Sequence, residues 1–180
     1  LERVDVTTLQ AVSGAGYSGV TSMEIIDNAI PHIGGEAPKM ETESRKLLGD
    51  FDGGELSLHE STVNASCNRI PTLDGHLESL FVDLAEEPTA EEAREAMREY
   101  PGVDLPSAPD QLIHVFGDEE MYRPQPRLDR ERENGMQISA GGVEATDSGL
   151  KYNCLAHNTL RGAAGASLLN GELLLEEGWI

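Results

Sequence analysis

The sequence has only two cysteines, three lysines and no apolar run long enough to cross a bilayer, and each scarcity excludes a class of protein. Cys67 and Cys154 are too few and too far apart for a disulfide framework, and neither belongs to a C-x-x-C pair, so we expect free thiols and no metal site. A bilayer crossing needs about 20 consecutive apolar residues. Since the first residues do not resemble a signal peptide either, we expect a cytoplasmic protein.

Basic side chains are scarce, whereas acidic ones are abundant. The chain has 13 Lys and Arg against 33 Asp and Glu, which gives a net charge of −20. An acidic surface repels polyanions, which excludes nucleic acid and anionic membranes as partners. The acidic residues are spread over the whole length and do not form a tail. We therefore predict a halophilic source, in which high ionic strength screens this self-repulsion.

Length and hydrophobic pattern predict one α+β domain over residues 1–180. Segments rich in apolar and β-branched residues, which alternate over residues 56–67, predict strands, and apolar residues at helical spacing predict helices. The predicted strands are residues 3–12, 56–67, 76–84, 112–116, 136–144 and 150–156, and the predicted helices are residues 22–30, 39–48, 89–100 and a long one from 159. Together these elements predict a mostly antiparallel sheet with helices packed on one face.

Local signals add detail to this outline. Thr89 and Glu92 form a capping box at the start of a helix. The turn over residues 69–75 is expected to join two strands, and residues 123–135 are expected to form an extended charged loop, because their prolines exclude a sheet interior. The chain begins at Leu1 without an initiator Met, which suggests a segment of a longer polypeptide.

The segment that ends at His76 carries the clearest chemical signal. Arg69 and His76 stand seven residues apart around a turn that contains Pro71 and Gly75. An Arg side chain offers a planar fork for a carboxylate. A His side chain titrates near neutral pH, which suits it to passing protons. The alternative is a solvated Arg and a structural His at the two ends of a surface turn, and this segment alone does not decide between the two.

Three weaker signals accompany it. Gln10 ends a predicted strand and can donate to a carbonyl oxygen, and loop 13–19 can bring backbone amides close to a cofactor, although its glycines can also serve only a turn. Glu43 and Lys46 share a helix face, either as part of a phosphate site or as a surface ion pair. Asn158 lies at a strand-to-helix junction, where it either caps the helix or faces a cofactor.

Five segments in order resemble the C-terminal, substrate-binding and dimerisation domain of aspartate-semialdehyde dehydrogenases of the archaeal and fungal type: residues 9–16, 43–49, 67–76, 123–127 and 158–165. The resemblance implies a glyceraldehyde-3-phosphate-dehydrogenase-like domain. It also implies that NADPH reductively dephosphorylates aspartyl 4-phosphate to aspartate 4-semialdehyde through a thioacyl enzyme, for lysine, threonine and methionine synthesis. NADP would be bound mainly by an N-terminal domain, and the enzyme would be a homodimer or homotetramer.

The same resemblance implies roles for the candidate residues. The acid–base role falls to His76. Substrate-binding roles match the charges of the substrate, with Gln10 for the acyl group, Glu43 for the amino group, Lys46 for the phosphate and Arg69 for the α-carboxylate. Cofactor contacts fall to Ser13, Gly14 and Asn158.

The resemblance further predicts what the chain lacks. Neither Cys67 nor Cys154 falls at the position of the nucleophilic Cys, and we expect no Rossmann half with a G-x-G-x-x-G pattern after a strand. We therefore expect the domain alone to be inactive. Residues 141–144 depart from the family pattern, because the expected basic residue is missing there. The alternatives are a related N-acetylglutamyl-phosphate or malonyl-CoA reductase and, from a different class, a non-catalytic oligomerisation module.

Overall fold

In the computed structural model, which describes all of residues 1–180, a six-stranded sheet organises the chain. The strands are β1 (Arg3–Gln10), β2 (Asp50–Phe51), β3 (Leu56–Ser57), β4 (Thr62–Arg69), β5 (His76–Asp83), β6 (Ile113–Val115), β7 (Ile138–Thr146) and β8 (Gly149–Ala156). The helices are α1 (Ser22–Ile25), α2 (Glu36–Leu47), α3 (Ala90–Glu99), α4 (Pro126–Asp129) and α5 (Gly165–Glu176).

The strand order in the large sheet is β4-β1-β5-β8-β7-β6, and β2 and β3 form a separate hairpin. β1 runs parallel to β4 and β6 runs parallel to β7, whereas the other three neighbouring pairs are antiparallel. The predicted mostly antiparallel sheet is therefore confirmed. None of the helices has the length and apolar character that a membrane crossing requires.

The helices α2 and α3 cover the same face of this sheet. Cys67 on β4 contacts Met40 of α2, with 3.6 Å between the sulfur atoms. Across the strands, Cys67 is in line with Glu78 on β5, Cys154 on β8 and Ala140 on β7, and Ala140 belongs to the apolar core with α3. Aligned residues point to one face. The prediction that helices pack on one face is therefore confirmed.

The helix α3 begins as predicted. The Thr89 hydroxyl accepts a hydrogen bond from the Glu92 amide at 3.2 Å, and the Glu92 carboxylate accepts one from the Thr89 amide at 2.8 Å. The helix buries Ala93 against an apolar cluster at β6, β7 and β8. The capping box that the sequence predicts is thus present and fixes where the helix enters the core.

The predicted helix over residues 22–30 is wrong in its second half. α1 ends at Ile25, because Ile26 has extended backbone angles and Asp27 has a φ of 56°. The backbone then turns toward the sheet, where Ile30 exchanges two 2.9 Å hydrogen bonds with the backbone of Arg69. Apolar spacing suggested a longer helix, but this bridge to β4 ends it.

The predicted strand over residues 56–67 is also wrong as a single element. Its first residues pair with β2 in the hairpin, and its last residues form β4 in the large sheet. The turn over residues 69–75 does connect β4 to β5, but the two strands are not neighbours, because β1 lies between them. β4, β1 and β5 are therefore adjacent strands, and together they carry the candidate site.

Residues 123–135 are not the extended loop that the prolines suggested. They contain α4 and a short 3₁₀ turn, and they fold around the buried Asp129 carboxylate. Asp129 accepts hydrogen bonds from the Arg123 side chain and from the Gln125 amide, the latter at 2.6 Å. Arg130 then donates to the backbone carbonyl of Asp74 at 3.1 Å. This segment therefore supports the turn that precedes His76.

The remaining elements follow the prediction with shifted bounds. α2 begins at Glu36, three residues earlier than predicted. The predicted terminal helix begins as one π-helical turn over Leu160–Ala164 and continues as α5. At the departure from the family pattern, β7 has a bulge between Gly141 and Glu144, and the Glu144 carboxylate pairs with Lys151 at 3.1 Å.

Candidate active site

Three polar side chains project from one face where β4 and β1 end and β5 begins. Gln10 on β1 is aligned with Arg69 on β4 and with His76 on β5. Neighbouring strands lie about 4.8 Å apart, so the three side chains form a row about 10 Å long. We call Gln10, Arg69 and His76 the polar row. A small amino acid can bridge this span, and the row lies on the face that α2 and α3 partly cover.

Arg69 is held in place before any ligand arrives. The residue is only 6% exposed, and its Nη1 donates a 2.6 Å hydrogen bond to the backbone carbonyl of Ala11. Burial lowers the pKa of Arg69 from its ordinary value, and the nearby charge of Glu36 opposes this change. Arg remains protonated in proteins, so the site keeps a fixed positive charge with further N–H donors for a carboxylate.

Gly14 is part of the Arg69 environment. A Cβ atom placed on Gly14 would lie 2.9 Å from Nη1 of Arg69 and 3.9 Å from Nδ2 of Asn158. Carbon and nitrogen atoms that are not bonded do not normally approach this closely, so a side chain here would displace the guanidinium. The absence of a side chain at Gly14 therefore makes room for the Arg69 guanidinium.

Gln10 is as buried as Arg69, at 6% exposure. Its Nε2 donates a 3.2 Å hydrogen bond to the hydroxyl of Thr8, which lies two residues earlier on the same face of β1. This contact orients the amide in the middle of the polar row. An amide fixed in this way is suited to orienting a carbonyl group of a bound substrate.

His76 lies beside a carboxylate. Its side chain is 28% exposed, that of Glu78 is 21% exposed, and Nε2 lies 2.9 Å from Glu78 Oε1. The angles at this contact are too bent for a hydrogen bond, so Nε2 is buried without a hydrogen-bond partner. Catalytic hydrogen bonds are often poorly aligned before a substrate binds. Glu78 is also the only acidic side chain within ion-pair distance of the His76 imidazole.

Asn158 joins the two loops that border the polar row. Its Nδ2 donates to Ser13 Oγ at 2.7 Å, and its Oδ1 accepts from the Gly75 amide at 2.7 Å. The backbone adds a 2.8 Å hydrogen bond from the Val12 amide to Thr72. Ser13, Gly14 and Asn158, predicted to contact a cofactor, thus lie together next to Arg69.

The expectation that no G-x-G-x-x-G pattern follows a strand is wrong, because Gly14, Gly16 and Gly19 have this spacing directly after β1. In a Rossmann fingerprint the pattern opens a long helix of a parallel βαβ unit. Here the loop forms a 3₁₀ turn over Val12–Ala15 and the next helix has only four residues, so the glycines do not open a long helix. The local fold is therefore not that of a dinucleotide fingerprint.

The structure does not bring Glu43 and Lys46 to the polar row. The helix α2 runs antiparallel to β4, and Glu41 Oε1 accepts a 3.2 Å hydrogen bond from the Ala65 amide. Ala65 precedes Arg69 by four residues, which is about 13 Å along a strand. Glu43 and Lys46 follow Glu41 in the direction away from the row, and both are exposed.

The first turn of α2 lies near the polar row, whereas the turns that carry Glu43 and Lys46 do not. Glu36 raises the pKa of both Arg69 and Cys67 through its charge, although burial has the larger effect on each group. Lys39 lies one turn further along the helix, with the same i, i+3 spacing. Sequence reasoning missed Glu36 and Lys39, and the repeated Glu-x-x-Lys spacing at 36–39 was the signal that could have found them.

Neither thiol is activated as a nucleophile. Cys67 is buried, and burial raises its pKa above the ordinary value. Burial also raises the pKa of Cys154, and the neighbouring Glu78 adds to this effect. A catalytic thiol needs the opposite shift, because the thiolate is the reactive form. No group of three or more His, Cys, Asp or Glu side chains is arranged to hold a metal ion.

Comparison with known proteins assigns this architecture to a family. The sequence profile described as "Semialdehyde dehydrogenase, dimerisation domain" matches residues 1–161. The aspartate-semialdehyde dehydrogenase of Archaeoglobus fulgidus is 49% identical, with 98% of this chain and 51% of the relative covered. That of Schizosaccharomyces pombe is 43% identical, with 99% and 52% covered. The chain spans about half the length of these curated relatives.

Solved structures show the same correspondence. The structure of aspartate-semialdehyde dehydrogenase with NADP from Candida albicans superposes with a TM-score of 0.88 and 39% identity, over 99% of this chain and 51% of that one. Aspartate-semialdehyde dehydrogenase II from Vibrio cholerae, complexed with ASA, gives a TM-score of 0.79 and 25% identity, over 97% and 55%. The chain therefore belongs to the semialdehyde dehydrogenase dimerisation-domain family.

Proposed function

We propose that this chain is the C-terminal, substrate-binding and dimerisation half of an aspartate-semialdehyde dehydrogenase. The whole enzyme would convert aspartyl 4-phosphate to aspartate 4-semialdehyde and phosphate. The observation that carries this proposal is the alignment of Gln10, Arg69 and His76 on three adjacent strands, in a chain whose relatives bear that enzyme's name. A cation, an amide and an imidazole in one row match the carboxylate, acyl group and proton transfer of this reaction.

The substrate is an amino acid, and the charges around the row favour that class. Arg69 would hold the α-carboxylate through its free N–H donors, as Arg forks commonly do. Glu36 would meet the α-ammonium group, and Lys39 would meet the phosphate as a compact point charge. In the proposal these two residues replace Glu43 and Lys46, because α2 approaches Arg69 with its first turn.

His76 and Gln10 would act at the reacting carbon. Gln10 would orient the acyl oxygen, since its amide is already fixed by Thr8. His76 would accept the proton of the attacking thiol and later return a proton to the intermediate, as an imidazole in a general acid–base role does. The thiol itself would come from the other half of the enzyme, because Cys67 and Cys154 are not activated.

NADPH would supply the hydride that reduces the thioacyl group. The residues next to the row fit a nicotinamide, because Gly14 leaves the backbone open and Asn158 offers an amide there. Ser13, Gly14 and Asn158 would border this end of the cofactor, and a Rossmann domain in the N-terminal half would bind the rest. These assignments make the single domain over residues 1–180 inactive alone.

The open face of the sheet supports the proposed assembly. Phe81 is 54% exposed on β5, on the face opposite the polar row. A second copy of this face would give a homodimer, alone or within a homotetramer, since two-fold interfaces are the commonest in soluble proteins. A cytoplasmic location and a halophilic source complete the proposal and are supported only by the sequence, through its lack of apolar runs and its net charge of −20.

Arg69 and Glu36 distinguish this function from related reductases. A free amino acid presents one carboxylate and one ammonium group, whereas a CoA thioester such as malonyl-CoA presents no ammonium group. The pairing of a cation with an acidic helix start therefore favours the amino-acid substrate over that alternative.

The test is the change His76→Ala in the full-length enzyme. We expect kcat for phosphate-dependent oxidation of aspartate semialdehyde, followed by NADPH formation, to fall about 10²- to 10⁴-fold, the usual contribution of a general acid–base group. The control is Glu95→Gln on the exposed side of α3, which should leave turnover unchanged. Unchanged turnover in His76→Ala would contradict the catalytic assignment and support a non-catalytic oligomerisation module.

A further inference from the structure

A second row of side chains lies directly behind the polar row on the same face of the sheet. It consists of Cys67 on β4, Thr8 on β1, Glu78 on β5 and Cys154 on β8, which are aligned across the four strands. Glu78 follows His76 by two residues on β5, so both side chains point to the same face. The carboxylate therefore lies next to the imidazole, one position further along β5 on the same face.

Glu78 has no Lys or Arg partner. Its Oε2 lies 3.5 Å from the Cys154 thiol, and its Oε1 lies 2.9 Å from His76 Nε2, which is its only ion-pair contact. A carboxylate that is mostly shielded from water, as Glu78 is at 21% exposure, costs free energy when it has no cationic partner. An interaction with the His76 imidazole offsets this cost, because no other ion-pair partner is within reach of the Glu78 carboxylate.

The surroundings of the pair contain few other charges. The titratable groups around it on this face are Arg69 and Cys67 on β4, Tyr152 and Cys154 on β8, and Glu36 and Glu41 on α2. The charge of Glu78 contributes to the raised pKa of both thiols, although burial is the larger cause for each. Glu78 thus acts as a negative charge at a partly exposed position of the sheet.

We propose that Glu78 is a positioning residue for His76: its carboxylate accepts a hydrogen bond from Nε2–H, so that Nδ1 carries the free lone pair toward the reacting atoms. The inference rests on the proposed function and deepens it. A proton accepted at Nδ1 converts the ring to an imidazolium, which the adjacent carboxylate stabilises. Only a small rotation of the side chains is needed, because the two atoms are already 2.9 Å apart.

Kinetics of the full-length enzyme provide the first test. Glu78→Gln keeps the shape of the side chain and removes its charge. We expect kcat to fall about 10- to 100-fold, as is common when a group that orients a ligand or catalytic side chain is lost. The KM for aspartate semialdehyde should stay within about twofold, because Arg69 is untouched. Glu95→Gln is the matched control, and a kcat for Glu78→Gln like that of the control overturns the proposal.

Nitrogen NMR of the histidine rings provides a test that does not depend on activity. The full-length enzyme is labelled with ¹⁵N-histidine in mildly alkaline buffer, and the His76 signals are identified by their loss in His76→Ala. We expect Nε2 to carry the proton in the wild type and both tautomers to appear in Glu78→Met. A wild-type ring protonated at Nδ1 overturns the proposal, even if Glu78→Gln fails to fold.

The two tests also separate this inference from the proposed function. If the wild-type enzyme does not oxidise aspartate semialdehyde, the proposed function fails, whereas the tautomer measurement still decides whether Glu78 and His76 form a pair. If the enzyme is active and the ring is protonated at Nδ1, only the role of Glu78 fails.

Discussion

Arg69 Nη1 donates a 2.6 Å hydrogen bond to the backbone carbonyl of Ala11, which joins the proposed substrate cation to the loop that follows β1. The same loop is joined to Asn158 through Ser13. A ligand that moves this loop therefore also moves the Ala11 carbonyl that accepts the hydrogen bond from Arg69. The proposed substrate and cofactor contacts form one connected unit of structure.

The first prediction concerns Gly14, where a Cβ atom would lie 2.9 Å from Arg69 Nη1. In Gly14→Ala the flexible end of Arg69 moves, and the protein loses less than about 1 kcal/mol of unfolding free energy. The displaced guanidinium no longer aligns the substrate, so kcat/KM for aspartate semialdehyde in the full-length enzyme falls about 10- to 100-fold.

The matched control for Gly14 is Gly34→Ala, because a Cβ atom at Gly34 meets no other atom within 4 Å and the backbone there is not in the left-handed region. Steady-state kinetics and urea unfolding of both variants check the prediction. Equal kcat/KM in the two variants would show that Arg69 tolerates a neighbour at Gly14.

The second prediction concerns the shape of the cation. Arg69→Lys keeps the positive charge but loses the planar fork and, with its shorter reach, the contact with Ala11. We expect KM for aspartate semialdehyde to rise about 100-fold, while kcat changes much less, because the carboxylate is bound in both the ground and transition states. A KM within twofold of the wild type would place the carboxylate elsewhere.

The third prediction separates the two Glu-x-x-Lys pairs of α2. Glu36→Gln removes the negative charge proposed to meet the substrate ammonium group, so KM for the amino-acid substrate should rise about tenfold. Glu43→Gln changes an exposed side chain further along the helix and should leave KM unchanged. The opposite result, with an effect only at Glu43, would restore the assignment that the sequence pattern suggested.

The fourth prediction concerns Asp129, whose side chain is fully buried and paired with Arg123. Burial alone would raise the pKa of Asp129, but the hydrogen bonds from Arg123 and from the Gln125 amide outweigh it, and the net pKa is lowered. A lowered folded-state pKa stabilises the fold at pH values above the unfolded pKa of about 4, and this stabilisation is lost as the pH falls toward the folded pKa.

Asp129→Asn should therefore cost about 3 kcal/mol of unfolding free energy at neutral pH, because Arg123 loses its partner. Urea unfolding at a series of pH values checks this, with the exposed Asp147→Asn as control. The difference between wild type and Asp129→Asn should shrink as the pH falls below about 4. A difference that does not change with pH would contradict the role of the ionised carboxylate.

The fifth prediction concerns the net charge of −20. Self-repulsion of this size destabilises the folded protein at low ionic strength, and salt screens it. The melting temperature should therefore be higher in about 1 M than in about 0.1 M sodium chloride. Equal melting temperatures in both would remove the argument for salt adaptation.

The sequence by itself determined the parts of the protein that depend on neighbouring residues. The capping box at Thr89 and the apolar residues of β5 are local patterns, and both elements form where they were predicted. The spacing of Arg69 and His76 around a turn also placed both residues at strand ends. Local rules suffice here because hydrogen bonds within a few residues, or the side-chain preferences of a short segment, decide the outcome.

Only the tertiary structure decided which elements lie next to each other. β1 enters between β4 and β5, and this insertion puts Gln10 beside Arg69 and His76, although nothing near residue 10 in the sequence signals it. The direction of α2 likewise places Glu36, not Glu43, beside the cation. Pairing of distant strands depends on burial of one shared face, which is a property of the whole sheet and not of any single segment.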